Sequence, residues 1–393
     1  MKKKNSFFCP LPWVHLSLEP GGKVYSCCNT SSHKEIGDIK NESFAEILNS
    51  PSNRIIQDQF AKESIPKQCQ LCVDAESLGQ ISLRESSLRR FPDINKDSEP
   101  SLKYLSLRLD NICNLKCRTC GPQLSTSWYN DAQIMGESIP SGIVNSFKNE
   151  DHFSNFLNNI PPSLEVLYFA GGEPFLSPKF YKVLEKLLEN GQSQVEILIN
   201  TNLTKLDING KDTLKILSFF ENVSLDLSID GIEEVGEYVR KGMSWIETKS
   251  LINKIASDYP TIHLKIFPTI SIFNIHHLPN LISYFLDNDI LRPSDIRINP
   301  LTLPEYLCIS NLPMDQKVII KNIVRQFSKS LMLKHDLNDL TGLLIQLNGV
   351  LEQLSLESND VFFENFINIT SQLDRIRDED IKTIVPELRK YFP

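Results

Sequence analysis

The sequence predicts an α/β chain built on a parallel sheet, with a cysteine-rich module before it and a helical region after it. Three observations carry this. From about residue 102 to 300, short apolar or β-branched runs alternate with longer amphipathic stretches, the pattern of successive βα units. Eight of the nine cysteines fall before residue 121 in two groups, Cys9, Cys27, Cys28, Cys69 and Cys72, then Cys113, Cys117 and Cys120. Past Leu312 the strand signal disappears and helical periodicity takes over.

Taken in order, the chain starts with MKKKNSFFCPLPW, a basic start that meets Pro10 and Pro12 before any apolar stretch forms. With no later run long enough to span a bilayer, a cytoplasmic protein without membrane contact is expected. The segment WVHLSLEPGGKVYSCC reads as a hairpin turning at Pro20-Gly21-Gly22, with Cys27 near the end of the returning strand. Residues 80 to 100 are polar and Pro-punctuated, a linker or an exposed helix ending in a loop. The expected divisions are therefore 1–80, a linker 81–101, a core 102–310 and a helical region 311–393.

Within the core the strand candidates are Tyr104–Leu109, Val166–Ala170, Val195–Asn200, Val223–Ile229, Leu264–Ile272 and Asp295–Asn299. Between them PKFYKVLEKLLENG, SWIETKSLINKIASD and HHLPNLISYFLDND carry apolar residues at helical spacing. Six such units make an open doubly wound sheet or an incomplete barrel, and both gather chemistry at the C-terminal ends of their strands. In the tail, MDQKVIIKNIVRQFSKSLMLKH, LTGLLIQLNGVLEQL, VFFENFINITSQLDRI and IKTIVPELRKYF read as four amphipathic helices.

Composition bounds the function classes. The 393 residues, 41% hydrophobic, are ordinary for a folded protein with a substantial core. A net charge of −8 excludes a general nucleic-acid-binding surface, which needs a basic excess to neutralise phosphates. Nine cysteines in a protein of intracellular character point to metal or cluster ligation ahead of disulfides.

The densest signal is LDNICNLKCRTCGP, directly after the first core strand, with Cys113, Cys117 and Cys120 spaced CxxxCxxC. Thiolates select iron-sulfur or zinc over hard cations. A structural zinc site wants four protein ligands, whereas three leave one coordination position open to a small molecule. The triplet resembles the signature of the radical S-adenosylmethionine (SAM) superfamily, and the resemblance extends over roughly residues 100 to 305. The next strand ends in AGGEP, whose Gly171, Gly172 and Glu173 look like the family's motif that meets the methionyl amine of SAM. Ser228 and Asp230 end the fourth strand, and Arg240 follows; they resemble the family's polar groups for the ribose and carboxylate of SAM. Asn299 sits where members let backbone contact the adenine. Thr119 departs from the aromatic residue that many members place before the last cysteine.

What the resemblance implies is a partial (β/α)6 radical SAM barrel. Three thiolates hold a 4Fe-4S cluster, SAM chelates its open iron, and one electron from a partner such as flavodoxin or ferredoxin cleaves SAM. The resulting 5′-deoxyadenosyl radical takes hydrogen from a substrate. The protein supplies placement, electrostatics and exclusion of water.

The N-terminal cysteines resemble the SPASM/twitch type of auxiliary-cluster module over about 70 residues, with Cys9, a spaced Gly22, Cys27, Gly37-Asp38-Ile39 and Cys69-Gln-Leu-Cys72. Cys9, Cys27, Cys69 and Cys72 would hold one auxiliary 4Fe-4S cluster, with Cys28 able to replace Cys27; zinc would be satisfied by the same count. Unlike the better-known members, the module precedes the barrel, and its cysteines suffice for one cluster. Cys308 reads as a buried apolar thiol. Two substrate classes follow from the resemblance. Twitch relatives with one auxiliary cluster act on small molecules such as cyclitols or nucleotides, and full SPASM relatives mostly modify ribosomally made peptides. The single cluster favours a sugar, cyclitol or nucleotide derivative, with a peptide or protein as the alternative. A zinc- or cluster-stabilised binding scaffold is the non-enzymatic alternative, against which AGGEP beside the triplet argues.

Overall fold

A computed structural model describes residues 7–393 apart from 31, 32, 78, 80 and 209, so the basic start, residues 1–6, lies outside the described residues. The chain forms two compact units. The first comprises Met1–Ile112, Gly142–Asn200 and Asp207–Val223, and the second Cys113–Ser141, Thr201–Leu206 and Ser224–Pro393.

In the first unit the expected hairpin is present: β1 (His15–Leu18) pairs antiparallel with β2 (Lys23–Tyr25), Ser17 facing Tyr25. Strand β2 continues antiparallel to β3 (Gly37–Asp38). On its other side β1 runs parallel to β4 (Tyr104–Leu107), His15 opposite Tyr104 and Leu18 opposite Leu107. Two more parallel strands follow, β5 (Val166–Phe169) and β6 (Glu196–Thr201). The cysteine-rich hairpin thus continues the parallel sheet. All four residues of β1 are buried, as a strand covered on both faces requires. A small hairpin of β7 (Asp207–Ile208) and β8 (Lys211–Asp212) completes the strands of this unit.

The helix Pro178–Glu189 starts with Pro at its first position, where the missing N–H is not needed. It buries Phe180, Tyr181, Val183, Leu184 and Leu187 along one face. Full burial of each such side chain contributes about 1.5–3 kcal/mol, so the helix is held by packing more than by propensity. The polar stretch after residue 80 opens with a helix, Leu83–Arg90, nucleated by a reciprocal capping box between Ser82 and Glu85.

In the second unit β9 (Val223–Leu227) neighbours β10 (Ile262–Ile266). The strand expected over Leu264–Ile272 is two pieces, because Pro268 has no N–H to donate; β11 (Thr269–Ile270) resumes after it. The sixth strand is shorter than expected. Pro293–Asp295 forms a 3-10 turn, Ile296 makes a single parallel bridge to Ile266 of β10, and the short β12 (Asn299–Pro300) pairs in parallel with β11. The helices Trp245–Asp258 and Leu278–Asp287 lie where the periodicity put them. The tail forms helices Met314–Lys334, Leu337–Gln353 and Asp360–Arg377. Its fourth helix stops after Ile381–Ile384, because Pro386 turns the remainder into a 3-10 segment, Pro386–Tyr391. Among the described residues no helix is long and apolar enough to cross a membrane.

Candidate functional site

Three groups of the expected residues come together, two in the first unit and one in the second. In the first unit, Cys9, Cys27, Cys69 and Cys72 all line one recess of about 430 Å³ that is partly open to solvent. Local structure explains each placement. Cys9 leads into the short Pro-initiated helix Leu11–Val14. Cys27 follows β2, where Thr30 Oγ1 donates to its carbonyl at 2.7 Å and the Asn29 N–H points to its sulfur at 3.4 Å. Cys69 ends a 3-10 turn, and Cys72 lies one turn on, in the helix Gln70–Ser77, so the CxxC wraps a helix start. Cys27 lines the recess; Cys28 does not, its thiol directed to Asn29 Oδ1 at 3.8 Å.

The rest of this wall mixes apolar side chains with the uncharged polar Ser26, Asn29, Thr30 and Gln68, and its one charged residue is Arg84, whose Nε and Nη2 bond Glu76 at 2.9 and 2.6 Å while Nη1 donates to the Phe8 carbonyl beside Cys9. Burial pushes the Cys9 and Cys72 thiols up, and Cys69 up to about 12. The hydrogen bond between neighbours holds Cys27 protonated, with burial adding to it, and lowers Cys28 to about 7. Cys9, Cys27, Cys69 and Cys72 therefore keep their protons at neutral pH, and a metal centre binding them would have to displace those protons. Among the described residues, no three His, Cys, Asp or Glu converge tightly enough to hold a single ion.

The second recess, about 210 Å³, lies at the C-terminal ends of β4 and β5 and is lined by Asp110, Gly172 and Glu173 among others. Gly171 adopts φ +106° against the Arg108 side chain, and a Cβ on Gly172 would sit 2.1 Å from the Ile112 carbonyl oxygen. Only glycine permits this approach. The Glu173 N–H donates to that same carbonyl at 2.7 Å, and the Glu173 carboxylate, 2% exposed as a residue, accepts from the Phe175 N–H at 3.2 Å. Asp110 braces the turn, its two oxygens accepting from Ile112 N–H and Ser177 Oγ at 3.1 and 2.6 Å. A buried carboxylate beside bare backbone suits an ammonium group on a compact ligand.

In the second unit the CxxxCxxC loop is laid against the segment 239–241 by two backbone bonds, Lys116 N–H to Lys241 O at 3.0 Å and Arg118 N–H to Val239 O at 2.8 Å. This brings Arg240 to the cysteines: Nη1 lies 3.7 Å from Cys117 Sγ, and Nε pairs with Asp230 Oδ2 at 2.8 Å. The other Asp230 oxygen accepts the Thr269 N–H at 2.7 Å, and Thr269 faces Asn299 across β11 and β12. Ser228, at the end of β9, donates its N–H to Thr201 O at 2.8 Å. Burial raises Cys117 and lifts Cys120 to about 12. Burial alone would lower Arg240, but Asp230 and then the Cys117 sulfur outweigh it and hold the guanidinium charged. The arrangement sets a fixed positive charge against the Cys117 thiol of the loop.

Three residues here escaped the sequence. Asn202 Nδ2 lies 3.9 Å from Cys113 Sγ and 3.1 Å from Asn114 Oδ1. Its place just after the third core strand was the available signal. Trp128 donates its indole N–H to the Cys117 carbonyl at 2.9 Å, and Arg118, between two of the cysteines, is buried. Cys308 is half-buried instead of buried, with its thiol directed to Pro304 O at 3.8 Å.

The chain matches two family models, the SPASM iron-sulfur cluster-binding domain over residues 9–73 and the radical SAM superfamily over residues 108–281. A tungsten-containing aldehyde ferredoxin oxidoreductase cofactor-modifying protein of Pyrococcus furiosus is 24% identical over 235 residues, 58% of this chain. The chain spans 60% of the length of that relative. Among solved structures, native anSMEcpe with bound AdoMet is similar at 19% identity and a TM-score of 0.41, covering 60% of this chain and 62% of that one. Streptococcus suis SuiB bound to precursor peptide SuiA is similar at 12% identity and a TM-score of 0.41, covering 81% and 69%.

Proposed function

This chain belongs to the radical SAM superfamily, with a SPASM-type iron-sulfur module preceding its core, and from that premise we propose that Cys113, Cys117 and Cys120 hold its radical-generating 4Fe-4S cluster. The same reading gives the auxiliary 4Fe-4S cluster to Cys9, Cys27, Cys69 and Cys72. When bound, cluster and SAM together supply one-electron cleavage of SAM and abstraction of a substrate hydrogen. The observation that carries the two-cluster assignment is the convergence of the four N-terminal thiols on one recess, away in sequence from the triplet.

The chain's own residues have distinct tasks in this reading. Gly171 and Gly172 let the methionyl end of SAM approach backbone, and the Glu173 carboxylate accepts from its ammonium group. Arg240, oriented by Asp230, neutralises the charge of the Cys117 thiolate and offers its remaining N–H groups to the SAM carboxylate. Ser228 and Asn299 take the ribose and adenine sides. Arg84 plays the neutralising part at the auxiliary recess. Flavodoxin or ferredoxin supplies the electron.

For the substrate we favour a side chain of a peptide or protein, because the N-terminal module matches the SPASM model, whose bearers mostly modify ribosomally made peptides. The second reading, a small molecule, rests on the single set of four auxiliary cysteines. Native-host extract separated by dialysis tests them. Reduced enzyme with SAM should transfer hydrogen to 5′-deoxyadenosine from a retained, protease-sensitive component. Transfer only from the dialysable fraction would overturn the peptide reading.

A further inference from the structure

The last long helix, Asp360–Arg377, ends in an unusual way for a packed helix. Its apolar stripe of Phe363, Phe366 and Leu373 gives way to two buried charges one turn apart, Asp374 and Arg377. Asp374 Oδ1 accepts from Arg118 Nη2 at 2.5 Å and from the Tyr238 hydroxyl at 2.8 Å. The same Arg118 nitrogen reaches Glu379 Oε2 at 2.6 Å, just beyond the helix. The Arg118 guanidinium also lies over the Tyr238 ring, 3.7 Å from its centroid. Arg377 mirrors this arrangement. Its Nε donates to Asp131 Oδ2 at 2.8 Å, and its guanidinium sits over the Trp128 ring at 4.7 Å.

Both ends of this network are tied to cysteine ligands. Arg118 stands directly between Cys117 and Cys120 in the loop, and Trp128 donates to the Cys117 carbonyl. Lys116, on the other side of Cys117, pairs with Asp131 at 2.8 Å, and Lys241 pairs with Glu379 at 3.0 Å. The four cations Arg118, Arg377, Lys116 and Lys241 face the three carboxylates Asp374, Glu379 and Asp131, which leaves one positive charge in excess (4 − 3) behind the thiolate loop. Arg118 Nη1 and both Arg377 terminal nitrogens have no hydrogen-bond partner among the described residues. Buried cations short of partners are unfavourable unless nearby negative charge compensates them, and the thiolates of a loaded loop supply that charge.

We propose that the C-terminal helix Asp360–Arg377 is a working part of the radical-generating site, with Asp374, Glu379 and Arg377 as positioning residues that clamp the Cys113–Cys120 loop from behind through Arg118 and Trp128. This rests on the triplet being the cluster site. Positioning implies reciprocity: if the helix favours the loaded loop, loading must favour the docked helix by the same factor.

Amide hydrogen exchange on the intact chain reads this directly. Anaerobic cluster loading, verified by iron content and electron paramagnetic resonance, should slow exchange over residues 370–381 by about tenfold or more. The Cys113→Ala, Cys117→Ala, Cys120→Ala variant, treated identically and loading only the auxiliary site, should show no slowing there. As a second measurement, Asp374→Asn preserves the side-chain shape and removes its charge. It should speed chelator-driven loss of iron from the triplet by about tenfold while leaving the auxiliary iron as slow as in the wild type. Equal exchange over 370–381 in verified loaded and unloaded wild type would overturn the clamp while leaving the cluster assignment intact. A chain that takes up no iron at the triplet would overturn both.

Discussion

Replacing Gly172 by Ala tests the proposed SAM turn at a single atom. The added Cβ would stand 2.1 Å from the Ile112 carbonyl oxygen, and real Cβ contacts essentially never fall under 3.0 Å. The obstacle is backbone, so no side chain can rotate away. Either the loop entering Cys113 or the turn carrying Glu173 must move by roughly 1 Å, at a cost of about 1–3 kcal/mol in stability. The two are joined by the 2.7 Å bond from Glu173 N–H to that carbonyl, so both are displaced. Misplacement on this scale can lower a rate by about 10²-fold. Gly121 supplies the control: it directly follows Cys120, yet a Cβ there meets nothing within 4 Å. In anaerobic assays of 5′-deoxyadenosine formation, Gly172→Ala should be slower by about 10²-fold and Gly121→Ala close to wild type. A Gly172→Ala enzyme with wild-type rate and SAM affinity would refute the reasoning.

Further expectations concern the auxiliary module and the sheet. Cys27→Ser should lose the auxiliary iron and Cys28→Ser should keep it, by iron analysis in the triplet-to-Ala background, because Cys27 lines the recess. Arg84→Met removes the one cation in that wall, so the auxiliary cluster's reduction potential, followed by redox titration, should become more negative. His15 is buried, bonded to Ser106 Oγ and the Ser26 carbonyl, and burial lowers it from 6.5 to about 4. Between those values the unfolded chain binds the proton more readily, so stability rises with pH across this window and is lost as pH falls. Urea unfolding at about pH 5 should therefore give about 2 kcal/mol less stability than at about pH 7 from this group, and His15→Gln should flatten the difference.

Where pattern and structure rest on neighbouring residues, the sequence was informative. The hairpin at Pro20-Gly21-Gly22, strands β4 to β6 and β9, and the helices of the tail follow from local periodicity and turn chemistry. The strand expected across Pro268 was misjudged because an apolar run hides how a missing N–H interrupts pairing. The parallel pairing of β1 with β4 brings together residues as far apart in sequence as His15 and Ser106, 91 positions, and no local pattern records it. The triplet and AGGEP were legible because their spacing is chemical. The bond from Arg118 to Asp374 joins residues 256 apart, each of which reads in isolation as an ordinary surface charge.

Product analysis after anaerobic reconstitution and reduction tests the central claim most directly. The wild-type chain should contain about eight irons and convert SAM to 5′-deoxyadenosine, and the Cys113→Ala, Cys117→Ala, Cys120→Ala variant should keep about four irons with no 5′-deoxyadenosine. Zinc in place of iron, or 5′-deoxyadenosine formed undiminished by the triple variant, would contradict it.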